Sequence, residues 1–191
     1  MIGEPASTLP VHGNTTAQRR AALTRVPALY LALPLNVMPA DKETLDDYTV
    51  GEKLVSPART ITETDIVQFA GLTGDWHPLH TDVGYAAATP FGERIAHGML
   101  VLSVGGALMF RLGPYVYLPK SFIAFYGMER VRFANPVKIG DTIHAVSEVA
   151  SIEPKEGGRG VLVWQNKVVN QHGDVCVASV TKLLCGRRAT S

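Results

Sequence analysis

Residues able to activate water are concentrated in one short stretch, Gly74-Asp75-Trp76-His77-Pro78-Leu79-His80-Thr81-Asp82, with a second segment, His97-Gly98-Met99-Leu100, downstream. The first stretch gathers carboxylates and imidazoles around a proline that fixes the local backbone. An Asp at 75 and a His at 80 on a rigid turn can hold one water between an acceptor and a titratable partner. General acid–base catalysis needs that pairing, and an apolar core has no use for it. In the second segment a glycine stands at the expected start of a long apolar helix, where an unpaired backbone N–H can polarise a carbonyl. His77 and His80 also form an H-x-x-H pair near Asp75 and Asp82, so a metal site has to be weighed. Zinc takes three or four convergent ligands, and Pro78 argues against convergence of the two imidazoles from one helix, so no metal is expected. Asp82 reads as the cap of the next short helix.

The elements that must position these groups follow from capping signals and periodicity. A strand is expected over about Lys53 to Ile61, with Pro57 marking it as an edge or bulge. Thr62 can cap a helix whose first turn is acidic, with Ile66, Phe69 and Ala70 on one apolar face and Gly71 and Gly74 at its end. The Asp75–Asp82 segment reads as a loop, followed by a short helix from Val83 to Ala88 and a turn at Thr89-Pro90-Phe91-Gly92. From Gly98 to Leu112 the chain is apolar almost all round, the pattern of a helix buried on most sides, and Ser103, Gly105 and Gly106 would admit a close backbone. The rest reads as strands, Phe122–Phe133, Thr142–Ile152, Val161–Asn170 and Val175–Leu184. Turns at Glu156-Gly157-Gly158-Arg159-Gly160 and Gln171-His172-Gly173-Asp174 make the last three a meander. One apolar helix and an antiparallel sheet make an α+β layout in which the sheet wraps the helix.

The chain of 191 residues suits a single domain, assigned to 45–191, preceded by an N-terminal arm over 1–44 that is extended or partly disordered. A formal charge of +1 leaves no basic stripe for nucleic acid. Only 18% of residues are charged against 46% hydrophobic, which points to surface hidden in a homo-oligomer. Arg19-Arg20 ahead of the run Val26–Met38 has the outline of an export signal. Pro27 and Pro34 interrupt it, and the run is too short to span a bilayer. A cytoplasmic protein without membrane contact is expected, in keeping with Cys176 and Cys185 as buried free thiols. His12, His144 and His172 read as surface or turn positions.

These motifs resemble the MaoC-like dehydratases, the (R)-specific enoyl-CoA hydratases of the hotdog fold. Phe69-Ala70-Gly71-Leu72-Thr73-Gly74-Asp75, His77-Pro78-Leu79-His80-Thr81-Asp82 and Thr89-Pro90-Phe91 through Ile95-Ala96-His97-Gly98-Met99-Leu100 carry the likeness, with Val131-Arg132-Phe133 and Pro136 to Asp141 as a later strand and turn. It covers about residues 48–185. One position departs from it: His77 stands where the family has an Asn that fixes the loop.

The resemblance implies an antiparallel hotdog sheet around the central helix, a homodimer with sites near its interface, and reversible hydration of a trans-2-enoyl-CoA to the (R)-3-hydroxyacyl-CoA. It implies Asp75 and His80 as the water-holding pair, with His80 the favoured proton-transfer group and the roles open to reversal. Gly98 would give its N–H to the thioester oxygen. His77, Trp76, Tyr85, Phe91 and His97 are candidate substrate-binding residues, although His97 reads first as a buried structural histidine. No cofactor is implied, coenzyme A being part of the substrate, whose phosphates Arg94, Arg130 and Arg132 could meet. A non-catalytic acyl-CoA-binding subunit and an acyl-CoA thioesterase are the competing readings.

Overall fold

The computed structural model describes residues 39–189; the expected arm up to residue 38, with its Arg19-Arg20 motif, lies outside the described residues. The compact unit reaches further toward the N-terminus than residue 45. Lys42 N–H donates to the Tyr115 carbonyl at 2.7 Å, Ser121 N–H donates to the Glu43 carbonyl at 2.9 Å, and Leu45 is fully buried.

Two short strands, β1 (Lys53–Val55) and β2 (Arg59–Thr60), replace the single strand expected there, and both pair antiparallel with β4 (Thr142–Lys155). Pro57 has no N–H to donate, which breaks the ladder. Ser56 bridges the gap, its N–H donating to the Ala145 carbonyl and its Oγ accepting from Ala145 N–H, each at 2.9 Å. Helix α1 (Glu63–Thr73) begins at the expected cap: Thr62 Oγ1 accepts from Asp65 N–H, while the Asp65 carboxylate accepts from Thr62 N–H and pairs with Arg59. It ends at Gly74, whose φ of +78° is a left-handed conformation that glycine adopts without strain.

The sheet is antiparallel throughout. β5 (Arg159–Val169) and β6 (Val175–Gly186) continue from β4 as a meander, and β3 (Phe122–Phe133) crosses to the far edge beside β6, giving the order β1-β4-β5-β6-β3. The apolar helix α4 (Gly98–Met109), extended by one 3₁₀ turn to Leu112, lies across β4, β5 and β6. Gly105 permits this approach. A Cβ there would stand 2.3 Å from Val168 Cγ2, closer than any side chain tolerates.

The core forms two apolar clusters along α4. One includes Leu100, Val101, Val104, Leu108, Val168 and Val177; the other includes Met109, Tyr117, Val149, Leu162, Trp164 and Leu183. α4 is buried on most sides, as its composition suggested, but Met99 and, in the 3₁₀ turn, Phe110 are exposed, as are Phe122, Ile123, Phe125 and Tyr126 of β3. Among the described residues nothing covers that side of the helix and edge strand. Among the described residues no helix is long and apolar enough to cross a membrane.

Candidate active site

Beyond Gly74 the chain is tied down by its own short side chains. Asp75 N–H reaches Thr73 Oγ1 at 3.3 Å, and Asp75 Oδ1 accepts His77 N–H at 3.3 Å, an Asx-type turn. A four-residue helix, α2 (Pro78–Thr81), follows where a loop was expected. Pro78 occupies its first position, where the missing N–H costs nothing and the fixed φ suits a helix, so the proline starts a turn of helix instead of preventing one. His77 is the N-cap, its Nδ1 accepting Leu79 N–H at 3.2 Å. That is the service an Asn side chain gives at a helix start, and it explains how imidazole is accommodated at this position. Asp82 caps α3 (Val83–Ala87) as expected, through Tyr85 N–H at 2.8 Å.

His80, on α2, faces the segment leading into α4. The Ile95–Lys138 bridge and the bond from Ala96 N–H to the Val137 carbonyl, 2.7 Å, hold that segment to the chain after β3. His80 Nδ1 lies 2.7 Å from the Ile95 carbonyl. A carbonyl only accepts, so Nδ1 carries the hydrogen and Nε2 is left with a free lone pair. Burial lowers the His80 pKa below its ordinary 6.5; the Ile95 bond opposes this, neighbouring His97 lowers it further, Asp75 raises it and His77 lowers it.

His97, only 3% exposed, braces both groups. Its ring stacks on His80 at 3.8 Å between centroids, its Nε2 donates to the Asp75 carbonyl at 2.9 Å, and Phe69 packs against it at 5.0 Å. Its Nδ1 is buried without a hydrogen-bond partner among the described residues. The structure therefore brings Asp75, His80 and His97 together, with one potential ligand atom of each lying within 4.8 Å of the others. The H-x-x-H pair does not converge in this way: the His77 and His80 rings are 6.3 Å apart, and His77 turns edge-on to Tyr85 at 5.7 Å. Of the three clustered groups, His97 already spends Nε2 on the Asp75 carbonyl.

A cleft of about 480 Å³ opens at this point, walled by His80, Phe91, Ile95, Gly98, Met99 and Phe133 among others. Gly98 is the first residue of α4, where N–H groups have no intrahelical acceptor. A Cβ on Gly98 would come within 2.8 Å of the Phe133 ring, so any other residue there would have to displace that ring. Phe91 is on the cleft wall. Trp76 and Tyr85 are not: Trp76 is 55% exposed beside Gly71, and Tyr85 faces His77. His77 caps α2 and His97 stands behind His80, so neither lines the cleft. Arg94 pairs with Glu63 at 2.7 Å, and Arg132 turns to its neighbour's carbonyl. His144 lies half-buried in β4 and not at a turn, whereas His172 is in the β5–β6 turn. Cys176 and Cys185 are buried free thiols, pushed up by burial to about 11 and about 12, so neither is an activated nucleophile.

Residues 47–171 match the MaoC like domain. The chain belongs to that family. Over 101 residues it is 41% identical to the (R)-specific enoyl-CoA hydratase of Rhodospirillum rubrum, a match covering 53% of this chain and 66% of that protein. The chain spans less than two-thirds of the length of the curated relatives it matches first, down to 26% of Protein MaoC from Klebsiella aerogenes. Among solved structures, the monoamine oxidase regulatory protein from Archaeoglobus fulgius superposes with a TM-score of 0.73 at 38% identity, covering 80% of this chain and all of that one. A Mycobacterium tuberculosis protein with a double hotdog fold superposes at 0.65, with 18% identity over 78% of this chain and 46% of that one, which speaks to the fold. The MaoC-like domain here is thus the α+β hotdog that its motifs implied.

Two contributors to this MaoC-like site were not legible in sequence. The Ile95 carbonyl that sets the His80 tautomer is a backbone atom, invisible to any reading of side-chain types. Phe133 comes from a remote strand, placed over Gly98 by the register of β3 with β6, in which it pairs with Val177.

Proposed function

We propose that this MaoC-like domain hydrates a trans-2-enoyl-CoA reversibly to the (R)-3-hydroxyacyl-CoA, with Asp75 and His80 handling the water and Gly98 the thioester oxygen. The observation that carries this reading is the His80 tautomer. Its Nδ1–H is spent on the Ile95 carbonyl, leaving Nε2 as a proton acceptor; a ring nitrogen of His80 lies within 4.8 Å of an Asp75 carboxylate oxygen, and His80 shares the cleft wall with Gly98. Water held between Nε2 and the carboxylate attacks C3 of the enoyl group. The pair takes one proton from that water, and C2 gains one as the double bond is lost, so H and OH add across C2 and C3. Negative charge accumulates meanwhile on the thioester oxygen. An N–H of the first turn of α4, with the helix dipole behind it, stabilises that charge. The reaction uses no redox group, and coenzyme A enters only as part of the substrate.

The names of the hydratase relatives support the acyl-thioester substrate class. The open apolar edge of β3 supports a homodimer in which the partner covers the side of the site. Buried free thiols support a reducing, cytoplasmic setting.

The test is crotonyl-CoA, followed by loss of the conjugated enoyl absorbance, with Asp75→Asn and His80→Ala as folded controls. Wild type should consume the absorbance, and each variant should lose about 10²- to 10⁴-fold in rate, the usual contribution of a positioned acid or base. Release of free CoA thiol in place of hydration would instead establish thioester hydrolysis.

A further inference from the structure

The edge strand β3 does not run straight past the site. Glu129 is opposite Val180 of β6 and Arg132 is opposite Ala178, so Arg130 and Val131 together fall against the single position of Ser179. Two residues against one make a β-bulge, a device that re-aims the side chains beyond it. Arg130 takes a φ of +53°, a left-handed conformation that a residue with a side chain adopts only at a cost. The bulge decides which way the end of the strand faces. Met128 pairs with Thr181 and Phe133 with Val177, and both partners are buried. Residues five apart on a regular strand point to opposite faces. The extra residue puts Met128 and Phe133 on the same face, the one that meets α4.

Phe133 is thereby set against the first residue of α4. The three heavy atoms nearest to where a Gly98 Cβ would be, at 2.8, 2.9 and 3.1 Å, all belong to the Phe133 ring. Gly98, His80 and Phe133 wall one cleft, and the ring is half-exposed, with surface left to meet whatever enters. A thioester oxygen accepting the Gly98 N–H at about 2.9 Å brings C1, and then C2, within about 6 Å of that nitrogen. The ring borders the same few ångströms.

Resting on the hydratase reading above, we propose that Phe133 is a specificity-determining residue that restricts the substrate to enoyl thioesters with hydrogen at C2. Apolar carbons in contact keep about 3.5–4 Å between centres. A hydrogen on C2 is accommodated beside the ring, whereas a methyl there requires the ring to move. The ring is held by the bulge on one side and by Gly98 on the other, so that movement is opposed.

The experiment compares kcat/KM for crotonyl-CoA and for trans-2-methyl-2-butenoyl-CoA in wild type, Phe133→Ala and Phe133→Leu. A 2-methyl group also lowers the intrinsic reactivity of the double bond, so the readout is the change in this ratio between proteins, not its size in one of them. Wild type should prefer crotonyl-CoA by about tenfold or more. Phe133→Ala should shrink that preference several-fold, with Phe133→Leu between the two. Because the ratio is internal to each variant, partial misfolding does not move it. An unchanged ratio in a variant that hydrates crotonyl-CoA would overturn the proposal and leave the hydratase reading intact. Loss of crotonyl-CoA hydration in both variants would overturn it as well, the ring then being a requirement of the reaction and not a filter. Failure of the wild type to hydrate either substrate would overturn the hydratase reading itself, and this one with it.

Discussion

At the scale of single residues, the proposed chemistry turns on the placement of protons. Asp75 Oδ1 accepts His77 N–H, so the local turn-forming role expected of a loop aspartate is met, and the proposed water-holding role would fall to the same carboxylate. His80 keeps its Nδ1 hydrogen on the Ile95 carbonyl. Burial holds its pKa below 6.5, so the form with a bare Nε2 persists to lower pH than it would in a free histidine. The acidic limb of the kcat/KM profile for hydration should therefore fall below pH 6.5, and an inflection above 6.5 would argue that His80 is not the titrating group. His77 adds a small effect of known sign: its charge disfavours a second charge on His80. His77→Asn keeps an N-cap acceptor for Leu79 and removes that repulsion, so the limb should move slightly upward while the melting temperature stays nearly constant. A limb that moves down would contradict the arrangement.

At the scale of elements, α4 carries two demands on one helix: its N-terminus must meet the site and its middle must lie close on β5. Gly105 meets the second demand. Gly105→Ala would drive a methyl into Val168 and should destabilise the fold by about 1–3 kcal/mol, as overpacked cores do. Gly106, one residue on, faces open space, and Gly106→Ala should stabilise by up to about 1 kcal/mol through helix propensity. Urea titration of the two variants measures the contrast, and equal effects would mean that the helix does not sit as described. The strand reading failed where a proline intervened. The run from Lys53 to Ile61 has β content, but the missing N–H of Pro57 divides it into β1 and β2, and the Ser56 side chain closes the seam.

At the scale of the whole molecule, the described residues leave the cleft open beside the long β3 edge, whose apolar side chains are exposed. Edge strands of this length are normally covered or guarded by charge. A second copy pairing there would extend the sheet and cover Met99 and Phe133 beside the cleft. Gel filtration should give a dimer for the wild type, and Phe125→Lys should give a monomer with an unchanged circular-dichroism spectrum. A folded variant that still elutes as a dimer would place the interface elsewhere.

What the sequence determined by itself was everything written in short-range chemistry. The cap at Thr62, the glycine exit at Gly74, the Asp75 and His80 positions, the apolar run of α4 and the β4–β6 meander all rest on residue types a few positions apart, and local capping, turn and periodicity rules read them directly. Only the tertiary structure decided which groups meet. His97 proved to brace both Asp75 and His80, because stacking and a bond to a backbone carbonyl depend on α4 packing beside α2. Trp76 and Tyr85, close in sequence to Asp75 and His80, are not on the cleft wall, while Phe133, far off in sequence, lies against Gly98. Ser147, Asn166 and Ser179 lie on three different strands, and only their pairing register sets these side chains abreast.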